Sequence, residues 1–287
     1  MFPSIYKLNS IFFDESYCQN FLFEKNILFD EMICRKCRIK MKLEGENWRC
    51  RKSNCRRKVS IYYKSFFSNS KLSPHQVLFV AYLWLAGDSH KQILLKTSHS
   101  ANTISDYLRM FRDLVSEHVK ESTEKIGGPG IIVEIDESKF GKRKYHKGHH
   151  VEGVWVFGGV ERTPERKIFV MSVPDRKEGT LLNILHQYVE KGSIIYSDCW
   201  ASYKNINNKL QFDHETVNHS KEFKVPDTNI HTNTIEGTWN GIKMNMAPRN
   251  RNINAIDEHL MEFIWRRQHF DDLWNSFLNC LADTAFY

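Results

Sequence analysis

Between Ser73 and about Lys120 apolar residues recur every three or four positions, the spacing of one helix face. Ser73 and Pro74 supply an N-cap and a first helical residue, and Val77, Leu78, Ala81 and Leu85 form the stripe that follows. Gly87 and Asp88 break it, and Ile93 and Leu94 open a short second helix. The polar turn from Thr97 to Ser100 leads into a third helix carrying Ile104, Tyr107, Leu108, Phe111, Leu114 and Val115. Three helices with short polar turns predict a helix-turn-helix-like module over residues 70–125, a pattern that simple three-helix packing also produces. The breaker cluster Gly127 to Gly130 ends this stretch, and the period then changes. Ile131 to Ile135, Val151 to Val160 and Lys167 to Val173 read as strands, Gly179 to Glu190 as a helix, and Ser193 to Ser197 as a further strand. The second part, residues 130–287, is therefore an α+β domain. Three turn-connected strands and a fourth reached through a helix fit a ribonuclease H-like mixed sheet with flanking helices, and pattern alone admits other α+β arrangements.

Residues 1–30 are rich in Phe, Ile, Tyr and Leu but lack the basic start and cleavage site of a secretory signal. They read as a packed arm or as a swapped contact with a second subunit. With 41% hydrophobic and 13% aromatic residues the chain can bury a substantial core, which excludes bulk disorder. The longest apolar run, Val77 to Ala86, is too short to span a bilayer. Seven cysteines, an odd number, do not make a paired disulfide framework, and the expectation is a soluble protein of a reducing compartment.

The net charge of +7 sits in the first half, and residues 35 to 58 hold eleven basic residues against two acidic ones. Such a segment neutralises phosphates, so an acidic polymer is the expected partner. The same segment contains Cys34 and Cys37, then Cys50 and Cys55. Two cysteine pairs at this separation suit a zinc ribbon over residues 31–66 holding one structural Zn²⁺, although the second gap is slightly wide; buried free thiols are the alternative. Arg35, Lys36, Arg51, Lys52, Arg56 and Arg57 are its candidate DNA contacts, and on the third helix Asn102, Ser105 and Arg109 are the candidates facing DNA. Arg49 to Lys58 also reads as a nuclear localisation patch, though a phosphate grip is the simpler use.

Three acids far apart in sequence are candidates for a single site. Asp136 sits where the apolar run of the first strand stops, Asp198 ends the later strand, and Glu236 lies in a polar run from His231. A helix starting near Asn233 puts Glu236, Asn240 and Lys243 on one face. Carboxylates so arranged can bind two divalent cations for phosphodiester chemistry, with Lys243 at a phosphate. Taken singly, Asp198 reads first as a helix cap and Glu236 as a charge at a helix start; it is the three acids together that favour a shared site. Glu134, on the strand face of Asp136, and Glu137, on the opposite face, compete for the first position. The basic turn with Lys139, Lys142, Arg143, Lys144 and Lys147, and with His146, His149 and His150, is a DNA clamp or a solvated hairpin tip.

The runs Glu134 to Tyr145, Val151 to Glu161, Tyr196 to Tyr203 and His231 to Lys243 closely resemble transposases of the Merlin superfamily and their bacterial insertion-sequence relatives. The resemblance covers the catalytic region and extends to the cysteine-rich ribbon. It implies a DDE transposase whose metal-binding triad is Asp136, Asp198 and Glu236, with Mg²⁺ or Mn²⁺, and with Lys243 as the basic residue that follows the glutamate. It further implies binding of terminal inverted repeats, hydrolysis that exposes a 3′-hydroxyl, and joining of that hydroxyl to target DNA. Bringing two ends together implies a homodimer or larger assembly, for which the amino-terminal arm and Trp265, Phe270, Trp274 and Phe277 are candidate surfaces, with core packing the commoner use of each aromatic. The place of action is the nucleus in a eukaryotic host and the cytoplasm or nucleoid otherwise. A domesticated, catalytically inactive sequence-specific DNA-binding protein is the alternative, and a structure-selective nuclease a third.

Overall fold

The structure, a computed structural model, describes residues 2–121, 124–141, 153–217, 231–284 and 286. They fall into two compact units, residues 1–118 with 269–287, and residues 119–268. Residues 269–287, assigned from sequence to the second domain, thus group with the first unit.

In the first unit the arm is helical, with α1 at Asn9–Phe13 and α2 at Glu15–Glu24, the latter capped by Asp14, which accepts from the Tyr17 N–H. It is a packed arm. Phe12, 2% exposed, meets Phe79, Tyr82 and Trp274 at ring separations of 5.4, 5.1 and 5.8 Å. An antiparallel three-stranded sheet follows, β1 at Lys42–Glu44, β2 at Asn47–Arg49 and β3 at Lys58–Ser60. Helices α3 at Pro74–Leu85, α4 at His90–Thr97 and α5 at Ala101–Glu121 match the predicted trio. Ser73 caps α3 as expected, with its N–H donating to Gln76, and Ser89 with Gln92 repeats the device at α4. Phe111 of α5 is fully buried against Phe66, Trp84 and Phe277, the last on the helix Leu273–Asp283. Trp274 and Phe277 are therefore core residues, as Trp265 is in the second unit, whereas Phe270 is 72% exposed. Among the described residues no helix is long and apolar enough to cross a membrane.

The second unit is a mixed α+β fold. A short strand β4, Ile126–Gly127, pairs in parallel with β8, Val189–Glu190, so the predicted helix over residues 179–190 ends early, as α6 at Glu178–Tyr188. The main sheet contains β5 at Ile132–Phe140, β6 at Val154–Glu161, β7 at Ile168–Val173, β9 at Ile194–Asp198 and β10 at Asp213–Val217. Its order is β10-β9-β5-β6-β7, antiparallel from β5 to β7 and parallel from β5 through β9 to β10. One face buries Val133, Ile135, Phe157 and Ile195 against Leu181, Leu182 and Leu185 of α6 and against Tyr203 and Ile206. Ile206 begins the short helix α7, Ile206–Leu210. The opposite face carries α8, Asn233–Asn245, on β5 and β6, and α9, Ile256–Gln268, on β7.

Candidate active site and metal centre

Strand β5 does not stop at Asp136. It continues to Phe140, so Asp136 lies mid-strand, a correction to the sequence reading. Its polar residues at alternate positions face α8, and each makes a bond there. The fully buried Glu134 accepts from the backbone N–H groups of Thr234 and Ile235 at 2.8 and 3.0 Å and from the Thr234 hydroxyl at 2.8 Å. Asp136 Oδ2 accepts from Trp239 Nε1 at 2.9 Å, and Ser138 Oγ accepts from Lys243 Nζ at 2.7 Å. Period two on the strand meets helical spacing on α8. Glu134 thereby supplies a negative charge at the N-terminus of α8, while Arg251 donates to the carbonyls of Lys243 and Met246 at its C-terminal end. Glu134 is in turn paired with Arg162 Nε at 2.5 Å, and Arg162 also reaches His231. Glu134 is thus a structural clamp.

Gly158 pairs with Asp136 across β5 and β6. A Cβ there would lie 2.8 Å from Trp239 Cη2 and 2.8 Å from Val170 Cγ1, so only glycine leaves room for the indole that donates to Asp136.

The parallel register of β5 and β9 sets Glu134 opposite Tyr196. Asp136 and Asp198 each lie two residues further on, at neighbouring positions of the same face. Glu236, in the first turn of α8, is exposed, and both Asp198 and Glu236 act on Asp136 through their charge. Burial first, and then these two neighbours, push the Asp136 carboxyl up to about 6, against the opposing bonds from Trp239 and the Glu137 backbone. Burial followed by the Arg251 charge holds Lys243 below its ordinary value, with Asp136 opposing. The structure therefore brings Asp136, Trp239 and Lys243 into one bonded face, with Asp198 and Glu236 within electrostatic reach. It does not gather the three carboxylates as tightly as the cysteines below. Asp198 also fills the capping role, accepting from the Trp200 N–H at 2.9 Å ahead of the 3₁₀ turn Ala201–Tyr203. As a donor set the three acids suit a hard divalent cation, whose charge would offset the repulsion that raises Asp136.

Glu137 points to the other face, as its spacing predicts. Burial raises it to about 7, with Tyr203 opposing and the Asp136 and Asp198 charges adding to the rise. Glu137 Oε1 and the Tyr203 hydroxyl are buried without completing a hydrogen bond of normal geometry.

In the first unit the Sγ atoms of Cys34, Cys37, Cys50 and Cys55 all lie within 4.8 Å of one another, with Cys34 and Cys55 3.7 Å apart. Four sulfurs around a tetrahedral zinc at about 2.3 Å would be separated by about 3.8 Å. The wide second gap is taken up by a turn in which the Cys55 N–H donates to the Lys52 carbonyl, and Arg38 and Arg56, each just after the second cysteine of a pair, adopt positive φ. The backbone N–H groups of Cys37 and Lys36 help to pull Cys34 down to about 6, while burial and the neighbouring thiols push Cys37 up to about 12. A thiolate set held this close fits a structural metal such as zinc, and all seven cysteines are free of disulfides.

Arg35, Lys36, Arg51, Lys52, Arg56 and Arg57 are exposed around this cluster, and Asn102 and Arg109 are exposed on α5, where Arg109 pairs with Asp106 at 3.7 Å. Lys142, Arg143, Lys144 and Lys147, with the three histidines of that turn, lie outside the described residues. Sequence reasoning missed Arg162, Trp239 and Gly158. The signal for Trp239 was present, since it follows Glu236 by three residues, about one helical turn.

Residues 126–268 match the ISXO2-like transposase domain. The chain is also 31% identical over 105 residues to an uncharacterized transposase-like protein of Haemophilus influenzae, covering 35% of this chain and 80% of that protein. The chain therefore belongs to a transposase family. Among solved structures it is similar to the Mos1 strand transfer complex, at 11% identity and a TM-score of 0.22 over 74% of this chain and 78% of the other. The pre-cleavage Mos1 transpososome gives 10% identity and the same score over 72% and 78%.

Proposed function

We propose that the chain is a DDE transposase of the Merlin kind, with a ribonuclease H-like catalytic domain preceded by a zinc ribbon and a helix-turn-helix-like module. The observation that carries this reading is the β5–α8 face, where Asp136 is oriented by Trp239 and Lys243 stands beside it, in a chain of a transposase family. Asp136, Asp198 and Glu236 would hold Mg²⁺ or Mn²⁺, which when bound supplies Lewis-acid stabilisation of the charge that develops on phosphate oxygens. Trp239 fixes the rotamer of Asp136, and Gly158 leaves the indole its room. Lys243, anchored by Ser138 and over the Phe140 ring at 5.2 Å, presents a positive charge to a phosphate. In the first reaction water attacks the phosphate at an element end and the 3′-oxygen leaves as a hydroxyl. In the second that hydroxyl attacks a target phosphodiester and displaces the target's own 3′-oxygen.

The exposed basic residues of the ribbon and of α5 would bind the terminal repeats. The working assembly is a homodimer or larger, since two ends must meet, and it acts in the nucleus of a eukaryotic host or at a bacterial nucleoid. The test is joining of a pre-cleaved terminal-repeat duplex to plasmid DNA in Mg²⁺ or Mn²⁺. Metal-dependent joining by the wild type, lost in Asp198→Ala, is the expected result. Repeat binding without joining in either metal would replace this reading with that of a binding protein.

A further inference from the structure

Beside the β5-facing side of α8 lies a cavity of 390 Å³ whose lining includes Arg166, Arg267, Thr234, Thr238, Gly237 and Gly241. We propose that this cavity is a second anion site, taking one backbone phosphate of the DNA strand away from the position of cleavage. The inference rests on the transposase reading for the identity of the anion and on the cavity itself for its existence.

Arg267 donates through Nε to the Arg166 carbonyl at 2.9 Å, which leaves its terminal nitrogens for a ligand. Among the described residues no carboxylate lies within ion-pair distance of either guanidinium. Among the described residues, these two cations thus stand together without a counter-charge. Burial, and then Arg166, hold the Arg267 pKa below its ordinary value. The backbone is committed to the arrangement as well, because Arg166 sits at φ 49° in a turn closed onto Thr163. The threonines are already engaged, Thr234 with Glu134 and Thr238 with the Thr234 carbonyl, so the open donors are the two guanidinium forks. Such forks match the oxygens of a phosphate.

The two glycines point the same way. Glycine is a poor residue inside a helix, yet neither is required by packing. A Cβ at Gly237 would have nothing within 4 Å, and one at Gly241 would make only ordinary contact with Phe263 at 3.6 Å. The space they leave lies outside the protein's own atoms and lets a ligand approach the helix closely. Gly237 follows Glu236 directly in α8, at an angular step of about 100° around the axis. A strand crossing the helix from the Glu236 face therefore meets the arginine pair next. An acidic peptide would suit the same forks, but this adjacency favours DNA.

The test uses the full chain with a duplex of arbitrary sequence, its binding followed by fluorescence anisotropy over a range of salt, and separately with inorganic phosphate at constant ionic strength, followed by thermal melting. Arg166 is exposed, so Arg166→Gln tests the site with the fold intact. In that variant the slope of log K against log salt should shrink by about 0.9, the value for one lost phosphate, with a several-fold weaker Kd. Phosphate should raise the Tm of the wild type and not of Arg166→Gln. Gly237→Glu supplies an internal carboxylate; it should raise the Tm without phosphate and abolish the response to it. An unchanged salt slope in both variants overturns the proposal and leaves the transposase reading standing. A phosphate response lost on substitution with the duplex slope unchanged means a free-anion site and overturns the DNA assignment. Competition by an acidic peptide but not by duplex does the same. A wild type that binds no duplex at low salt removes the transposase reading itself.

Discussion

One partly buried carboxylate, Asp136, has its proton affinity raised by its surroundings. Asp136, raised from 3.8 to about 6, is costly to ionise in the folded chain. Because the folded value lies above the unfolded one, its contribution to stability is fully present below about pH 4 and is lost as pH rises through 6. The displacement corresponds to about 3 kcal/mol. Asp136→Asn keeps an oxygen for Trp239, so above pH 7 it should be more stable than the wild type by about 1–3 kcal/mol and near pH 4 indistinguishable, as urea unfolding at both values would read. Metal affinity should follow the same group, with Mn²⁺ binding by calorimetry tightening as pH rises through 6 in the wild type and lost in the variant. Alternation along β5 made Glu134 and Asp136 legible as same-face acids. Which of them clamps the start of α8 and which bonds Trp239 was not legible from alternation, because that is decided by Arg162 and by residues 234, 235 and 239, the last three about a hundred positions away.

At the scale of elements, α8 is the piece that completes the site, and side chains from elsewhere in the fold bond both of its ends. Replacing Glu134 by Gln removes the buried negative charge that answers Arg162 and weakens the cap, so Glu134→Gln should cost about 3–5 kcal/mol, read as a loss of denaturant midpoint. Gly158→Ala tests the other support. Its methyl group drives into Trp239 and Val170, so we expect about 1–3 kcal/mol of destabilisation from overpacking, with a loss of joining activity beyond what the stability change explains. Helices α3 and α5 were readable to within a residue or two because their stripes are regular, whereas α4 begins at His90, three residues before the expected Ile93, behind a Ser89 cap that the reading did not use. The extent of β5 was not. Its polar residues look like the end of a strand, yet Glu134, Asp136 and Ser138 satisfy their groups against α8, while Glu137 turns toward Tyr203.

For the molecule as a whole, the two units carry different chemistry. Purified chain should contain one zinc, and a chelator that removes it should expose Trp48, 4% accessible on β2, giving a red-shifted emission while the circular dichroism of the 119–268 sheet persists. A shift with no zinc released would count against the cysteine assignment. Cysteine spacing made that cluster readable from sequence; the grouping of residues 269–287 with the first unit was not, since one amphipathic helix fits many cores. The Glu134 clamp has a consequence for the order of events during synthesis. When the ribosome has made β5, Glu134 is a charge with nothing to answer it, and its partners at 162, 231, 234 and 235 emerge much later. A chain cut short before residue 235 cannot bury that charge, so the β5–α8 face does not form until the protein is nearly finished, and an early fragment carries no assembled site.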